Sequence, residues 1–162
     1  MGISKADISD SKGIAQLIAK FRVELGALKN IRSDENLEAA EEEFAGYIKS
    51  GYPIFIYKEN DRYLGYLICR AEIPNVWVES LYVLKERRRN GIASALYNSA
   101  EQLAASFGED TLYNYVHPNN DAMIAFLNKK GYHVLNLIEI RKKRLNEKTH
   151  DKIIIGNNVF DY

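Results

Sequence analysis

The chain has 162 residues, 46% of them hydrophobic, and balances 22 Lys and Arg against 22 Asp and Glu. That length and apolar share suit one domain, residues 1–162, with a real core, and zero net charge argues against a nucleic-acid partner. A single cysteine, Cys69, excludes an intrachain disulfide, and no apolar run reaches membrane-spanning length, so a cytoplasmic protein with no membrane partner is expected.

Residues 3–8 read as a short strand. Ser11 opens a helix with Ile14, Leu17, Ile18, Phe21 and Leu25 on one face. Ser33 is expected to cap a second helix that buries Leu37, Ala40, Phe44, Tyr47 and Ile48 and stops at Gly51. Strands over 54–58, 62–70 and 76–83 follow, joined by turns short enough for antiparallel pairing. A helix over 91–107 ends at Gly108. A strand over 111–116, a helix over 120–130 and a strand over 134–141 come next. After a charged linker, the apolar stretch 153–160 is broken by Gly156-Asn157-Asn158. The order, with one βαβ crossover, predicts a mixed α/β fold around a mostly antiparallel sheet.

The segment from Val83 to Leu96 carries the chemistry. An apolar strand runs into a basic turn, Lys85-Glu86-Arg87-Arg88-Arg89, and a helix follows at once. The first turn of such a helix aims unpaired N–H groups and the positive end of its dipole at one point, which suits a phosphate or pyrophosphate. Gly91 admits a ligand without a Cβ in the way, and Ala93 is nearly as small. The plain structural reading of the basic run is a solvated turn.

Arg88-Arg89-Asn90-Gly91-Ile92-Ala93 resembles the Arg/Gln-x-x-Gly-x-Gly/Ala turn of the GCN5-related N-acetyltransferases, where it holds the pyrophosphate of acetyl-coenzyme A. Two further segments share the resemblance. Trp77-Val78-Glu79-Ser80-Leu81-Tyr82-Val83 is similar to the family's fourth strand, which splays from its neighbour and pairs with pantetheine. Asn120 to Tyr132 is similar to its later helix motif. The resemblance implies a three-layer α/β/α sandwich around a splayed sheet. It also implies coenzyme contacts from Leu81, Tyr82, Val83, Arg88, Arg89, Asn90, Gly91, Ile92, Ala93, Ser94, Asn120, Phe126 and Lys129. Asn120 equally reads as an ordinary helix cap, and Lys129 as a cation suited to a helix C-terminus.

Acetyl transfer from a thioester to an amine needs a base for the ammonium proton and a fixed donor for the carbonyl oxygen. Glu79 is the expected base. Strand alternation would set it on the face of Leu81 and Val83, and its apolar neighbours would partly desolvate it. It also reads as a charge-pairing residue. The Val83 backbone N–H is the expected oxyanion donor. The family's usual acid is a Tyr where this chain has Leu127, so Tyr113 or Tyr115 is the replacement, Tyr115 being the one chosen here, unless the thiolate leaves without an acid. His117, His133 and His150 are scattered without metal spacing, so no metal is expected.

The first two helices border the acceptor cleft in the resembled family. Here they carry Glu24, Asp34, Glu35, Glu38, Glu41, Glu42 and Glu43, which would favour a cationic amine on a small molecule or a peptide. The functional alternative is an acyl-coenzyme A-binding module without turnover, a reading that Leu127 favours. The C-terminal stretch either completes the sheet or pairs with a second copy in a homodimer.

Overall fold

The computed structural model describes residues 2–162. Two compact units divide it, the residues up to Ala125 and Phe126–Tyr162. In the first, strand β1 (Gly2–Lys5) leads to a single 3-10 turn and helix α1 (Ser11–Ala27). The cap lies upstream of Ser11. Asp7 Oδ1 accepts the Ser9 N–H at 2.7 Å, and Asp10 Oδ2 accepts the Asp7 N–H at 2.9 Å. These reciprocal bonds satisfy donors that the start of a helix leaves free.

Helix α2 (Leu37–Lys49) starts later than a Ser33 cap would place it. Its cap is Asn36, whose Oδ1 accepts the Ala39 N–H at 3.0 Å. Asn36 is extended, with the helix starting immediately after it, so its short side chain can reach the third amide along. Ser33 sits in the irregular segment before it.

Strands β2 (Ile54–Glu59), β3 (Arg62–Glu72) and β4 (Asn75–Val83) form an antiparallel meander. The β2–β3 turn uses Asn60 and Asp61 at φ 46° and 62°, the left-handed pair that matches the twist of a two-residue hairpin. Helix α3 (Ile92–Ser106) then crosses over to β5 (Tyr113–Asn114), which pairs parallel with β4. The sheet order is β1-β2-β3-β4-β5.

Alternation along β3 assigns its two faces. Tyr66 meets the Phe21 ring of α1 edge-on at 6.4 Å, so residues 66, 68 and 70 face the α1 and α2 layer. Gly65 faces α3: a Cβ there would stand 2.9 Å from the Tyr82 carbonyl oxygen and 3.3 Å from Ile92 Cγ2. Gly65 therefore lets the first residue of α3 sit against the sheet, and so places the turn before it.

Helix α4 (Asp121–Lys129) carries the boundary between the units, after Ala125. In the second unit, β6 (Lys152–Ile155) and β7 (Asn158–Asp161) form an antiparallel hairpin across Gly156-Asn157. The expected strand over 134–141 does not form; this stretch is irregular, with Val134 89% and Leu137 70% exposed. Apolar alternation specifies a face to bury, but a ladder also needs a neighbouring backbone, and among the described residues none pairs with this stretch. Likewise the strand expected over 111–116 keeps only the two residues that reach β4.

Candidate active site

The sheet parts where β5 leaves β4. The two strands pair through Trp77 with Tyr113 and Val78 with Asn114, and among the described residues no strand accompanies β4 on that side beyond Val78. The Leu84 N–H donates to the Leu64 carbonyl at 2.9 Å across β3 and β4. Gly65 and Val83 are therefore a non-hydrogen-bonded pair, and the Val83 N–H and C=O point away from β3, toward the open side. Leu81, two residues back, presents its backbone the same way. Tyr82 does not: its backbone faces β3, and its phenol donates to Glu24 Oε1 at 2.8 Å. Burial, then Glu24, hold that phenol well above the ordinary tyrosine range, so it remains a donor.

The open edge runs into the start of α3. Gly91 takes φ 79° and no side chain caps the helix, so the Ile92, Ala93 and Ser94 amides are available to a ligand. Asn90 Nδ2 reaches back to the Arg87 carbonyl at 3.4 Å, and Arg89 takes φ 66°. The three arginines of the turn divide their roles. Arg87 pairs with Glu59. Arg88 donates through Nε to the Val83 carbonyl at 2.9 Å and through Nη2 to Glu24 Oε2 at 2.8 Å. Arg89 is exposed and, among the described residues, engages no carboxylate.

Glu79 lies on the other side of the sheet from the expected one. Ile68 pairs with Ser80 but Cys69 pairs with Val78, so Glu79 is the extra residue of a bulge. Beyond the bulge, Leu81 pairs with Leu67 and lies on the α3 face, as Val83 does with Gly65. The Glu79 carboxylate accepts from Arg70 Nε at 2.8 Å, and Arg70 pairs in register with Trp77 on the α1 and α2 face. The expectation that Glu79 shares a face with Leu81 and Val83 is thus corrected. An inserted residue resets the alternation, and nothing local in the sequence announces it. The Glu79 side chain is 26% exposed.

Around it stand Glu72, which accepts from Arg70 Nη1 at 2.5 Å, and Trp77, with the Arg70 guanidinium 4.6 Å from its ring centroid. Tyr113 stacks on Trp77 at 5.3 Å, while Tyr115, past the end of β5, is 60% exposed. Burial and the Glu43 carboxylate push the Tyr47 phenol of α2 up to about 12.

Much of the acidic character read from α1, α2 and their linker is internally neutralised. Glu24 pairs with Arg88, Glu35 with Lys20 and Glu43 with Arg22. A concavity of about 600 Å³ between α1 and the end of β4 is lined by neither Glu79 nor the first turn of α3.

Asn120 caps α4, with Oδ1 accepting the Met123 N–H at 3.2 Å. Phe126 and Lys129 lie along the same helix, with buried Leu127 between them. Among the described residues no group of His, Cys, Asp and Glu could hold a metal ion, and no helix is long and apolar enough to cross a membrane.

Arg70 is not legible as a site residue in the sequence, because its relation to Glu79 depends on strand register. Its only signal is being a lone cation at the end of an apolar strand.

A parted sheet whose open strand edge leads into an uncapped, glycine-led helix start sets an extended ladder edge beside an anion-accepting helix end. The model of the acetyltransferase (GNAT) family matches residues 18–132, and the chain belongs to that family. Solved structures share the fold at low identity. An aminoglycoside 6'-N-acetyltransferase AAC(6')-Ig from Acinetobacter haemolyticus, without ligand, is 17% identical with a TM-score of 0.67, over 90% of this chain and 100% of that one. A possible acetyltransferase from Clostridium difficile 630 is 16% identical with a TM-score of 0.71, over 89% and 97%. The aminoglycoside N-acetyltransferase AAC(6')-Iy in complex with coenzyme A is 14% identical with a TM-score of 0.69, over 88% and 94%. No curated protein matches the sequence.

Proposed function

We propose that the protein is an N-acetyltransferase that moves the acetyl group of acetyl-coenzyme A to a primary amine. The observation that carries this reading is the open β4 edge at Leu81 and Val83, continuous with the free amides of Ile92, Ala93 and Ser94. An extended diamide pairs with such an edge as a strand would, and a pyrophosphate suits the helix start. Arg89, Asn90 and Gly91 complete the phosphate cradle, with Arg88 beside it. The matching helix motif adds Asn120.

The coenzyme supplies an activated acetyl thioester. Glu79 takes the proton from the amine, directly or through one water, because an alkylammonium has no lone pair to attack with. The Val83 N–H, directed to the open side, donates to the acetyl oxygen as charge develops there. A thiol near pKa 8.5 leaves readily, so Tyr115 or water suffices to protonate it where the family motif's Tyr is Leu127.

The acceptor is a cationic amine. Glu79 and Glu72 set two carboxylates against the single Arg70 cation, and Asp34, Glu38, Glu41 and Glu42 pair with no cation among the described residues, a balance that favours positive charge. The aminoglycoside acetyltransferases of the same fold act on amines, which supports the class of acceptor. Leu127 favours one other reading, a coenzyme-binding module without turnover.

Calorimetric titration with acetyl-coenzyme A, followed by thiol release against a panel of polyamines, aminoglycosides and peptides, tests the proposal. Binding with turnover on an amine is expected. Binding without turnover across the panel would favour the module, and no binding would refute both.

A further inference from the structure

Glu79 is placed by a bulge and so has no cross-strand partner of its own. A glutamate side chain has three rotatable torsions, and a general base must be held within a few tenths of an ångström of its working position. The residue that does the holding is Arg70. Its Nε donates to Glu79 Oε1 at 2.8 Å and its Nη1 to Glu72 at 2.5 Å, so the guanidinium bridges two carboxylates from different strands.

A third contact fixes its plane. The guanidinium carbon lies 4.6 Å from the Trp77 ring centroid, and Trp77 in turn stacks on Tyr113 at 5.3 Å with 29° between the rings. Trp77 with Tyr113 and Val78 with Asn114 are the β4–β5 pairs, beyond which the strands part. The series Tyr113, Trp77, Arg70, Glu79 therefore runs from the junction of the parted strands to the carboxylate. The lowered mobility of the cation follows from being held on three sides. Its charge is secure, because the Glu79 hydrogen bond raises an already high guanidinium pKa.

We propose that Arg70 is the positioning residue of Glu79. Seated on the Trp77–Tyr113 stack and tied to Glu72, it keeps the Glu79 carboxylate aimed on the acceptor side of the sheet. Only one Glu79 oxygen takes the Arg70 bond, which leaves the second to meet an amine or a bridging water. Lysine in this place keeps the charge and loses both the forked donors and the planar face, so it is not an equivalent residue. The inference rests on the reading of Glu79 as the base.

The test compares Arg70→Ala, Arg70→Lys and Glu79→Gln on the full chain with acetyl-coenzyme A and the amine found by the panel. Arg70→Ala is expected to lower kcat by at least about tenfold, with the acceptor KM and the coenzyme Kd within about twofold, because aim and not binding is lost. Methylguanidine added to Arg70→Ala should restore part of that rate, a recovery that a merely structural residue does not show. Arg70→Lys should fall between Ala and the parent, and it carries the same kcat comparison if the Ala variant does not fold. Arg70→Ala, or failing that Arg70→Lys, at the parental kcat while Glu79→Gln is slow overturns the positioning role alone. So does a loss that falls equally on coenzyme binding and is not restored by methylguanidine. Glu79→Gln at the parental rate would instead refute the base, and the positioning role with it.

Discussion

Glu24 of α1 holds Arg88 of the basic turn: its Oε2 accepts from Arg88 Nη2 at 2.8 Å, and its Oε1 accepts from the Tyr82 phenol at 2.8 Å. One carboxylate thereby ties α1 to both the end of β4 and the turn that leads into α3. Arg88 in turn binds the Val83 carbonyl, so the outward edge of β4 and the helix start are set relative to each other by a single cation. The link is polar and partly exposed, so it registers these elements more than it stabilises them.

Glu24→Ala should therefore have a modest effect. The bonds are charge-assisted, but screening at 28% and 41% exposed side chains reduces their net worth to about 1 kcal/mol. At this chain length that corresponds to a fall in Tm of about 2–4 °C. A thermal melt followed by circular dichroism measures it; an unchanged Tm would show that Arg88 is held by Val83 alone.

Glu79→Gln should separate chemistry from binding. The amide keeps the size and can still accept from Arg70, but it cannot take a proton. Acetyl transfer is expected to slow by about 10²–10⁴, the usual contribution of a general base, while acetyl-coenzyme A binds with the same Kd. Steady-state thiol release and calorimetry on the same preparation give both numbers.

Gly91→Ala probes the phosphate cradle. A Cβ there meets nothing within 4 Å, so the cost to the free protein is conformational: φ 79° is a left-handed geometry, and leaving Gly costs about 1–2 kcal/mol. With ligand the Cβ stands where a phosphate would approach, and coenzyme affinity should drop by about tenfold, or 1.4 kcal/mol. Urea denaturation and calorimetry read the two effects separately.

Gly65→Ala should act at a distance on the same cradle. The added carbon would stand 2.9 Å from a backbone carbonyl oxygen and against Val83 and Ile92, atoms that cannot turn aside as the tip of a flexible side chain can. Overpacking of this kind costs about 1–3 kcal/mol and should shift the first turn of α3. A lower urea midpoint together with weaker coenzyme binding is the expected result.

Asp10 gives the fold an acid-sensitive element. Burial opposes its ionisation, but hydrogen bonds from Lys58, Tyr63 and the Asp7 backbone outweigh that and hold its pKa below the ordinary 3.8. A folded-state pKa lower than the unfolded one means stability that is present above pH 3.8 and lost as the pH falls through the folded value. Asp10→Asn should destabilise at pH 7, and its deficit relative to the parent should shrink below about pH 4. Denaturant midpoints at pH 7, 5 and 3 test the sign.

Local chemistry made much of this molecule legible from sequence. Apolar residues at helical spacing placed α1 and α3, and the short turns Glu59-Asn60-Asp61 and Pro74-Asn75 placed the meander of β2, β3 and β4. Gly91 beside a basic run marked an anion-accepting helix start, because backbone geometry and the helix dipole are properties of adjacent residues. Asn36 rather than Ser33 capping α2 is a matter of three residues, within the reach of competing caps. The run from Val134 to Ile140 shows the opposite case, in which a clean apolar pattern finds no ladder.

The sequence by itself determined the order of elements as far as α4, the family motifs and the residue types at the parted edge, since each depends on near neighbours along the chain. Only the tertiary structure decided which face Glu79 occupies, that Arg70 is its partner, and that Arg88 belongs to Glu24. Those outcomes depend on strand register and on contacts between residues 9 to 64 positions apart. A single inserted residue in β4 resets the side of every later side chain, and that choice is made by the packing of two sheet faces and not by any local preference of the chain.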